Sequence, residues 1–219
     1  MALPALYAND PILDKDRYDE DEYFTLEESS RARWEFLPDG PAPFQGSRLG
    51  RIRAMSVGTL DHGAIAMNFG RALGNALSSA GVQACRTFGS DVKVHATDGR
   101  NTFPDISVVC GKPEMYRNRR DTVTNPVLIA EVLSPPTESD DRGDKWASYQ
   151  SIPSLRHYLL LAADRVRIEL CTREESGWHF ETWETLDSEI PLRALGITVT
   201  AADLYAMVDF EAENFTKRD

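Results

Sequence analysis

The chain has 219 residues, of which 42% are hydrophobic, and this is enough to bury the core of a single domain. No segment approaches the roughly 20 consecutive apolar residues that a membrane-spanning helix needs. The N-terminus lacks the basic start and long apolar stretch of a signal peptide, so we expect a protein of the cytoplasm without membrane contact.

The net charge of −11 lies mainly at the N-terminus. Residues 1–30 contain nine acidic and two basic residues, a net charge of −7, which leaves −4 for the other 189 residues. Such an acidic stretch is typical of a solvated segment, so we predict that residues 1–22 are a flexible extension and that residues 23–219 form one domain. The remaining charge neither supports nor excludes a polyanionic partner bound through a local basic patch.

Two helices are predicted in the first part of the chain. Thr25 and Glu28 have the spacing of a capping box, which predicts a helix that begins there, contains Glu35 near its end and stops before the turn signal at 38–40. The segment PAPFQGSRLG is a loop by its Pro and Gly content, and RIRAMSV alternates like a strand. Asp61 can cap the second helix, which ends at Gly81 and has apolar residues at helical spacing: Ile65, Phe69, Leu73, Ala76, Leu77 and Ala80.

The rest of the chain is dominated by β-like runs. QACRTFGSDVKVHAT and TFPDISVVCG are separated by a hairpin signal at 98–101. NPVLIAEVLS and three later runs, RHYLLLAA, RVRIELCT and WHFETWET, also have the composition of strands. Short helices are predicted over about 144–151 and over 201–208. Helices early in the chain and strands clustered in its middle predict an α/β domain with a central mixed β-sheet flanked by helices.

The three cysteines, Cys85, Cys110 and Cys171, are far apart in the sequence, and none belongs to a C-x-x-C pair. This spacing argues against both a disulfide framework and a zinc site. We therefore predict that all three are reduced residues of the core.

Glu131 is a carboxylate inside the apolar run VLIAEVLSPP. An unpaired carboxylate is costly to bury or becomes neutral, so Glu131 needs a partner. Asp105 shares one side of its predicted strand with Ser107 and Val109, and it can meet Glu131 if the two strands are neighbours. Lys145, at the start of a predicted helix, could bring a positive charge to the same point. Two carboxylates and a lysine around Mg²⁺ or Mn²⁺ would form a centre able to hydrolyse phosphodiesters.

Several short motifs resemble, in their order, a known family. They are FPDI at 103–106, AEVLSP at 130–135, DRGDK at 141–145 and IPSL at 152–155, with Tyr149 between the last two. Together they look like the Uma family of restriction-endonuclease-like proteins, a bacterial group within the PD-(D/E)XK nuclease superfamily. The resemblance covers roughly residues 23–208. It implies a restriction-endonuclease-like fold and metal-dependent cleavage of DNA.

The resemblance also implies roles for individual residues. Asp105 is similar to the superfamily's proline-linked aspartate, and Glu131 is similar to its second acidic metal ligand. The superfamily's lysine usually stands two residues after that acid, where this chain has Leu133, and Lys145 matches a lysine that the family takes from the following helix. Glu35 resembles a glutamate that the first helix contributes to the metal site. The insertion PAPFQGSRLGR departs from the family pattern and could move Glu35.

Simpler interpretations remain open for several residues. Glu131 could pair with an arginine in an ordinary core. His62, near a helix N-terminus, could be structural or could donate a hydrogen bond to the site. Trp178 and Phe180 share one face of a predicted strand, and such aromatic residues are more often core than a stacking platform for bases. A basic cluster could clamp a phosphate backbone or be a solvated loop. Its members are Lys112, Arg117, Arg119 and Arg120.

We therefore expect a DNA endonuclease that uses Mg²⁺ or Mn²⁺ and that could act as a homodimer, with one site for each strand. One alternative is a protein of the same fold that binds nucleic acid with little or no activity. Another is a structural module whose acidic cluster is only paired internally. The presence of Asp105, Glu131 and Lys145 together favours the enzyme, whereas the acidic charge favours the other two.

Overall fold

The computed structural model describes residues 15–30, 32–40, 49–55, 58–135 and 137–210. Within these ranges the chain forms two six-stranded β-sheets, a two-stranded ribbon and five α-helices. Residues 1–14 of the predicted extension lie outside the described ranges. No helix in the described part of the chain is long and apolar enough to cross a membrane.

The central sheet carries most of the core. Its strands, in spatial order, are β12 (Gly177–Trp183), β11 (Ile168–Glu174), β10 (His157–Ala162), β9 (Leu128–Leu133), β7 (Ile106–Cys110) and β4 (Cys85–Gly89). Only β9 and β10 run parallel to each other, and the other neighbours in this sheet are antiparallel. Every residue of β9 and β10 is buried, which explains why both runs are almost continuously apolar. The prediction of a central mixed sheet flanked by helices is confirmed.

A second sheet, which the sequence did not predict, packs beside the first. Its strands, in spatial order, are β1 (Tyr18–Asp19), β3 (Leu49–Ala54), β2 (Trp34–Pro38), β6 (Asn101–Thr102), β5 (Lys93–His95) and β8 (Thr122–Val123). Two runs that were predicted as single strands are each divided between the sheets, by bends at 90–92 and 103–105. The second bend contains Pro104, which has no N–H to donate to a strand ladder.

The helices lie at the faces and ends of these sheets. They are α1 (Glu20–Ser29), α2 (Leu60–Ser79), α3 (Glu138–Arg142), α4 (Asp144–Gln150) and α5 (Ala201–Leu204), and α5 follows the ribbon of β13 (Glu189–Leu192) and β14 (Ile197–Thr200). Helix α2 buries Ile65, Phe69 and Leu73 in the main core, as its spacing predicted. It begins two residues earlier than a cap at Asp61 would place it, because Thr59 is the residue whose side chain caps it.

The first helix lies earlier in the chain than predicted. Asp19 accepts a hydrogen bond from the backbone of Glu22, and the Glu22 carboxylate accepts one from the backbone of Asp19, which is a capping box. Helix α1 ends at Ser29, and the segment Trp34–Pro38 is strand β2. The prediction is wrong because the spacing of a capping box occurs twice. In addition, the first three residues of β2 are all buried, so the strand shows no alternation.

Residues 18–22 belong to the fold, although they were predicted to lie in a flexible extension. Tyr18 is 2% exposed, and β1 pairs with β3. The acidic residues at 20–22 form the first turn of α1, where carboxylates stabilise the positive end of the helix dipole. The acidic composition of this segment therefore reflects the start of a helix.

Cys85 and Cys110 form a disulfide in this structure, whereas Cys171 is free and buried. The two bonded residues are direct partners on the antiparallel strands β4 and β7. The prediction of three reduced cysteines is wrong for this pair, because the spacing along the chain does not reveal which positions a sheet register brings together.

Candidate active site

The structure brings Asp105 and Glu131 to one face of the central sheet. Strands β7 and β9 are antiparallel neighbours whose register pairs Ile106 with Ala130, so Asp105 and Glu131 occupy the next position of this ladder. Both residues line a cavity of about 170 Å³. The prediction that the two strands are neighbours is confirmed, whereas the chemical roles of the carboxylates stay predictions.

Lys145 reaches the same cavity from α4. Its Nζ lies 3.0 Å from Glu131 Oε1, 3.1 Å from Asp141 Oδ1 and 3.7 Å from Glu35 Oε1. The lysine is therefore a shared cation for three carboxylates. Leu133, which stands where the superfamily pattern has its lysine, is instead a buried residue of the core.

A kink between α3 and α4 directs Lys145 toward the cavity. The kink lies at Gly143, where an added Cβ would be only 2.8 Å from the backbone oxygen of Ser139. No other residue fits there unless the kink opens. Beyond it, α4 buries Lys145, Ser148 and Tyr149 on its inner face.

Glu131 is 3% exposed and receives hydrogen bonds from two directions. The Tyr149 hydroxyl donates to Oε1 at 2.8 Å, and Lys145 approaches the same oxygen. Burial raises the pKa of Glu131 well above its usual value, against the opposing charge of Lys145. Burial would lower the pKa of Lys145, but the charges of Glu131, Glu35 and Asp141 outweigh it and raise that pKa. Lys145 is therefore held as an ammonium ion and is the counter-ion of this site.

Asp105 is held in one orientation by two contacts. The backbone N–H of Val132 donates to Oδ2 at 2.8 Å, and His62 Nε2 lies 3.0 Å from Oδ1. Burial would lower the pKa of His62, but its hydrogen bond to Asp105 and the charge of that residue raise it. Of the two interpretations of His62, the structure favours a hydrogen-bond donor to the site.

Glu35 lies in β2 and not in a helix, yet it lines the same cavity. Arg53, its direct partner on β3, donates to Oε2, with Nε at 3.2 Å, and the backbone N–H of Phe103 lies 3.3 Å from Oε1. Burial would raise the pKa of Glu35, but the charges of Lys145 and Arg53 lower it. Glu35 is thus ionised and already paired, and its role as a metal ligand stays a prediction.

Three residues of the site received no role from the sequence. They are Arg53, Asp141 and Tyr149. Asp141, Lys145 and Tyr149 are four residues apart, a spacing that places side chains on one face of helical backbone, so this signal was present. Arg53 had no such signal, because its contact depends on the pairing of β2 with β3. The predicted insertion leads into β3, and its residues 41–48 lie outside the described ranges.

The donor set of the cavity suits a hard divalent cation. Carboxylates outnumber cations among the residues that line it: Glu35, Asp105, Glu131 and Asp141, against Arg53 and Lys145. In the described ranges, no three His, Cys, Asp or Glu side chains are grouped so that they could hold a metal alone. Mg²⁺ commonly takes only one or two protein carboxylates and completes its shell with water and phosphate oxygens. The oxygen chemistry of the site therefore fits Mg²⁺ or Mn²⁺.

The predicted basic cluster is partly neutralised. Arg117 and Arg119 form ion pairs with acidic residues of α1, and Arg119 also pairs with Asp121. Lys112 and Arg120 are exposed and have no ion pair with any described residue. A contact between this cluster and a phosphate backbone stays a prediction.

The fold is a mixed α/β architecture whose central sheet carries Asp105 and Glu131, with Lys145 supplied by the following helix. A solved structure from Anabaena variabilis, described as a putative nuclease belonging to DUF820, has a similar fold, with a TM-score of 0.65. The two chains are 16% identical, and the match covers 86% of this chain and 97% of the other.

The sequence comparisons then give the family. The Uma2 family model, described as "Putative restriction endonuclease", matches residues 21–202, and the chain belongs to this family. Two proteins of Synechocystis sp. are among its relatives. The uncharacterized protein slr1290 is 29% identical, over 94% of this chain and all of its own length. The uncharacterized protein sll1609 is 30% identical, over 68% of this chain and 76% of its own.

Proposed function

We propose that this protein is a metal-dependent endonuclease that hydrolyses DNA phosphodiester bonds. The observation that carries the proposal is the 3.0 Å contact between Lys145 Nζ and Glu131 Oε1, in a cavity that Asp105 also lines. Buried, charge-coupled groups in a cleft are typical of catalytic centres. The family description, and the nuclease description of the Anabaena protein, support the same reaction class.

Each side chain has a separate task in this proposal. Asp105 and Glu131 hold Mg²⁺ or Mn²⁺, and a bound ion of this kind supplies Lewis acidity toward a phosphoryl oxygen. Lys145 keeps a positive charge in the cavity, where it can donate to a phosphate oxygen as negative charge develops. The contacts from Val132 and His62 fix the orientation of Asp105 before the substrate arrives.

Glu35 and the assembly state belong to the same proposal. Glu35 serves as a third ligand if Arg53 releases its Oε2, and otherwise it helps to hold Lys145. A homodimer would present one cavity to each strand of a duplex.

DNA cleavage tests the proposal. The wild-type protein is incubated with supercoiled, linear and single-stranded DNA in Mg²⁺ or Mn²⁺, and we expect cleavage that a chelator abolishes. Asp105→Asn and Lys145→Met should each lower the cleavage rate by about 100-fold or more, because each removes a charge used in the reaction. Asp164→Asn is the matched control, since Asp164 is exposed and, among the described residues, pairs only with neighbouring Arg165. If the wild-type protein cleaves none of the substrates with either ion, the enzyme proposal fails.

A nucleic-acid-binding protein with little or no activity is the second candidate. The observation in its favour is that Lys145 already contacts three carboxylates, while no described group of three potential ligands stands ready for a metal. This candidate predicts DNA binding of equal strength with metal and with chelator, without cleavage in either.

A further inference from the structure

A cluster of aromatic rings lies next to the cavity and includes Trp146, the residue of α4 that follows Lys145. The ring of Trp146 stacks on Tyr158, with 5.0 Å between centroids, and meets Trp178 at 4.7 Å and Phe180 at 6.2 Å. Trp178 and Phe180 belong to β12, an edge strand of the central sheet. Phe180 is 62% exposed, so the interpretation of this residue as core is wrong. Trp146 and Trp178 are half-buried and pack beneath Phe180.

Two arginines border these rings without a carboxylate partner. The Arg173 guanidinium lies 4.6 Å from the Trp178 ring and donates to the backbone oxygen of Gln150. Arg156 donates to the backbone oxygen of Pro153. Neither arginine forms an ion pair with any residue that the structure describes. Because carbonyl oxygens carry no net charge, this surface keeps its positive charge on a chain whose net charge is −11.

Carboxylates of β11 and β12 neutralise other arginines near this sheet. Glu169 of β11 pairs with Arg142 and Arg167, and Glu181 of β12 pairs with Arg193. Arg156 and Arg173 thus keep their positive charge beside the rings. We name Trp146, Trp178, Phe180, Arg156 and Arg173 the aromatic–arginine patch.

The chemistry of the patch fits unpaired nucleotides. Exposed aromatic faces stack on bases that are free of a partner strand, and guanidinium groups contact phosphates or stack on bases. In a duplex the bases are stacked on each other, so their faces are not available to Phe180. The patch also lies close to the cavity, because Trp146 directly follows Lys145 on α4 and is turned only about 100° from it around the helix axis. One helix is about 10 Å across, a distance that a few nucleotides span.

We propose that the aromatic–arginine patch binds single-stranded DNA, with Phe180 stacking on unpaired bases, Trp146 and Trp178 supporting its ring from below, and Arg156 and Arg173 contacting phosphates. This inference rests on the proposed function and narrows its substrate to DNA that has an unpaired stretch beside the cleaved bond. A strand that enters the cavity then continues over α4 to the patch.

Binding to the full chain in a chelator tests the patch without cleavage. Fluorescence anisotropy compares three labelled ligands: oligothymidine, an abasic strand with the same number of phosphates, and a duplex. We expect Phe180→Ala to weaken oligothymidine binding about tenfold and to leave abasic-strand and duplex binding unchanged, because only the base contact is lost. Replacing Arg156 and Arg173 together by Ala should weaken oligothymidine and abasic-strand binding alike and reduce the salt dependence of both.

Two control variants match these changes elsewhere on the surface. Leu186→Ala removes a half-exposed apolar side chain outside the patch. Arg86→Ala removes an exposed arginine from β4, the opposite edge of the same sheet, and Arg86 has no ion pair with a described residue. Both controls should bind oligothymidine like the wild type, and Phe180→Ala should melt at the wild-type temperature. Unchanged oligothymidine affinity of Phe180→Ala, or an equal loss with the abasic strand, would overturn the inference.

The cleavage assay separates this inference from the proposed function. If the wild-type protein cleaves nothing while Phe180→Ala still weakens oligothymidine binding selectively, the patch is established and the nuclease proposal fails. If the wild-type protein cleaves DNA and Phe180→Ala binds oligothymidine and cleaves like it, the nuclease proposal stands and the patch is refuted.

Discussion

The ammonium group of Lys145 lowers the free-energy cost of burying the Glu131 carboxylate in a strand. A single buried carboxylate would have to become neutral or lose several kcal/mol of hydration. Here the ammonium group contacts Glu131, and Tyr149 donates to the same oxygen. Burial raises the pKa of Glu131, and the surrounding carboxylates raise that of Lys145. Each group therefore favours the charged form of the other.

This dependence predicts strong coupling between the two residues in the metal-free protein. Lys145→Met should lower the free energy of unfolding by about 3 kcal/mol, because it leaves Glu131 buried without its cation. Glu131→Gln should cost less, because Lys145 keeps its contacts with Asp141 and Glu35. The double variant should lose less than the sum of the two, since no orphan charge is left by the pair itself. Urea unfolding in a chelator measures the free energy of unfolding of the two single variants and the double variant.

The exposed pair of Asp164 and Arg165 supplies a reference cycle, and its coupling should be about 1 kcal/mol or less. Additive effects of Lys145→Met and Glu131→Gln would show that the buried contact is not energetically important.

At the scale of elements, the hydrophobic pattern predicted the helices that bury one face and the strands that are continuously apolar. Helix α2 was found from the spacing of Ile65, Phe69 and Leu73, and β10 from an unbroken apolar run. Strand β2 was missed because its first residues are buried on both faces, which hides the period of two. The runs that bend at 90–92 and 103–105 were recognised as β-like, but strand propensity does not reveal which sheet a strand will join.

The residues of the candidate site also fall into those that the sequence pattern revealed and those that it did not. Asp105, Glu131 and Lys145 were found because alternation within strands and the order of motifs are local properties of the sequence. Arg53 was not found, because it reaches Glu35 only through the pairing of β2 with β3, which encloses the insertion.

The position of α1 predicts the effect of truncation. Deleting residues 1–22 removes β1, the buried ring of Tyr18 and the Asp19 cap, whereas deleting residues 1–14 keeps them. The longer deletion should therefore melt at a clearly lower temperature than the shorter one. Asp19→Ala alone should account for about 1 kcal/mol of the difference, as expected for a lost helix cap. Thermal melts of the three variants measure this, and equal melting of the two deletions would exclude β1 from the stable fold.

At the scale of the whole molecule, the disulfide encloses part of the site. The bond between Cys85 and Cys110 closes a segment that contains β5, β6 and Asp105. Disulfides persist in oxidising compartments and are rare in a reducing cytoplasm, where this pair would be thiols. The expected cytoplasmic location therefore conflicts with the bonded form of the pair.

Reduction should measurably weaken the fold. For a sequence separation of 25 residues, loop-closure entropy predicts a loss of about 3.5 kcal/mol when the bond is opened. Urea unfolding with and without a reductant measures the loss. Replacing both Cys85 and Cys110 by Ser should give a protein whose stability does not respond to the reductant. An equal stability of the oxidised and reduced wild-type protein would contradict the expectation.

The shared contacts of Lys145 also have a practical consequence for kinetics. Because the ammonium group offsets the carboxylates without a metal, a chelator should stop the proposed DNA cleavage without unfolding the protein. Protein and DNA can then be brought together in the chelator, and an excess of Mg²⁺ added afterwards starts every bound molecule at the same moment. The amplitude of the first burst of product would count the correctly assembled sites, and its rate would report the bond-breaking step separately from DNA association.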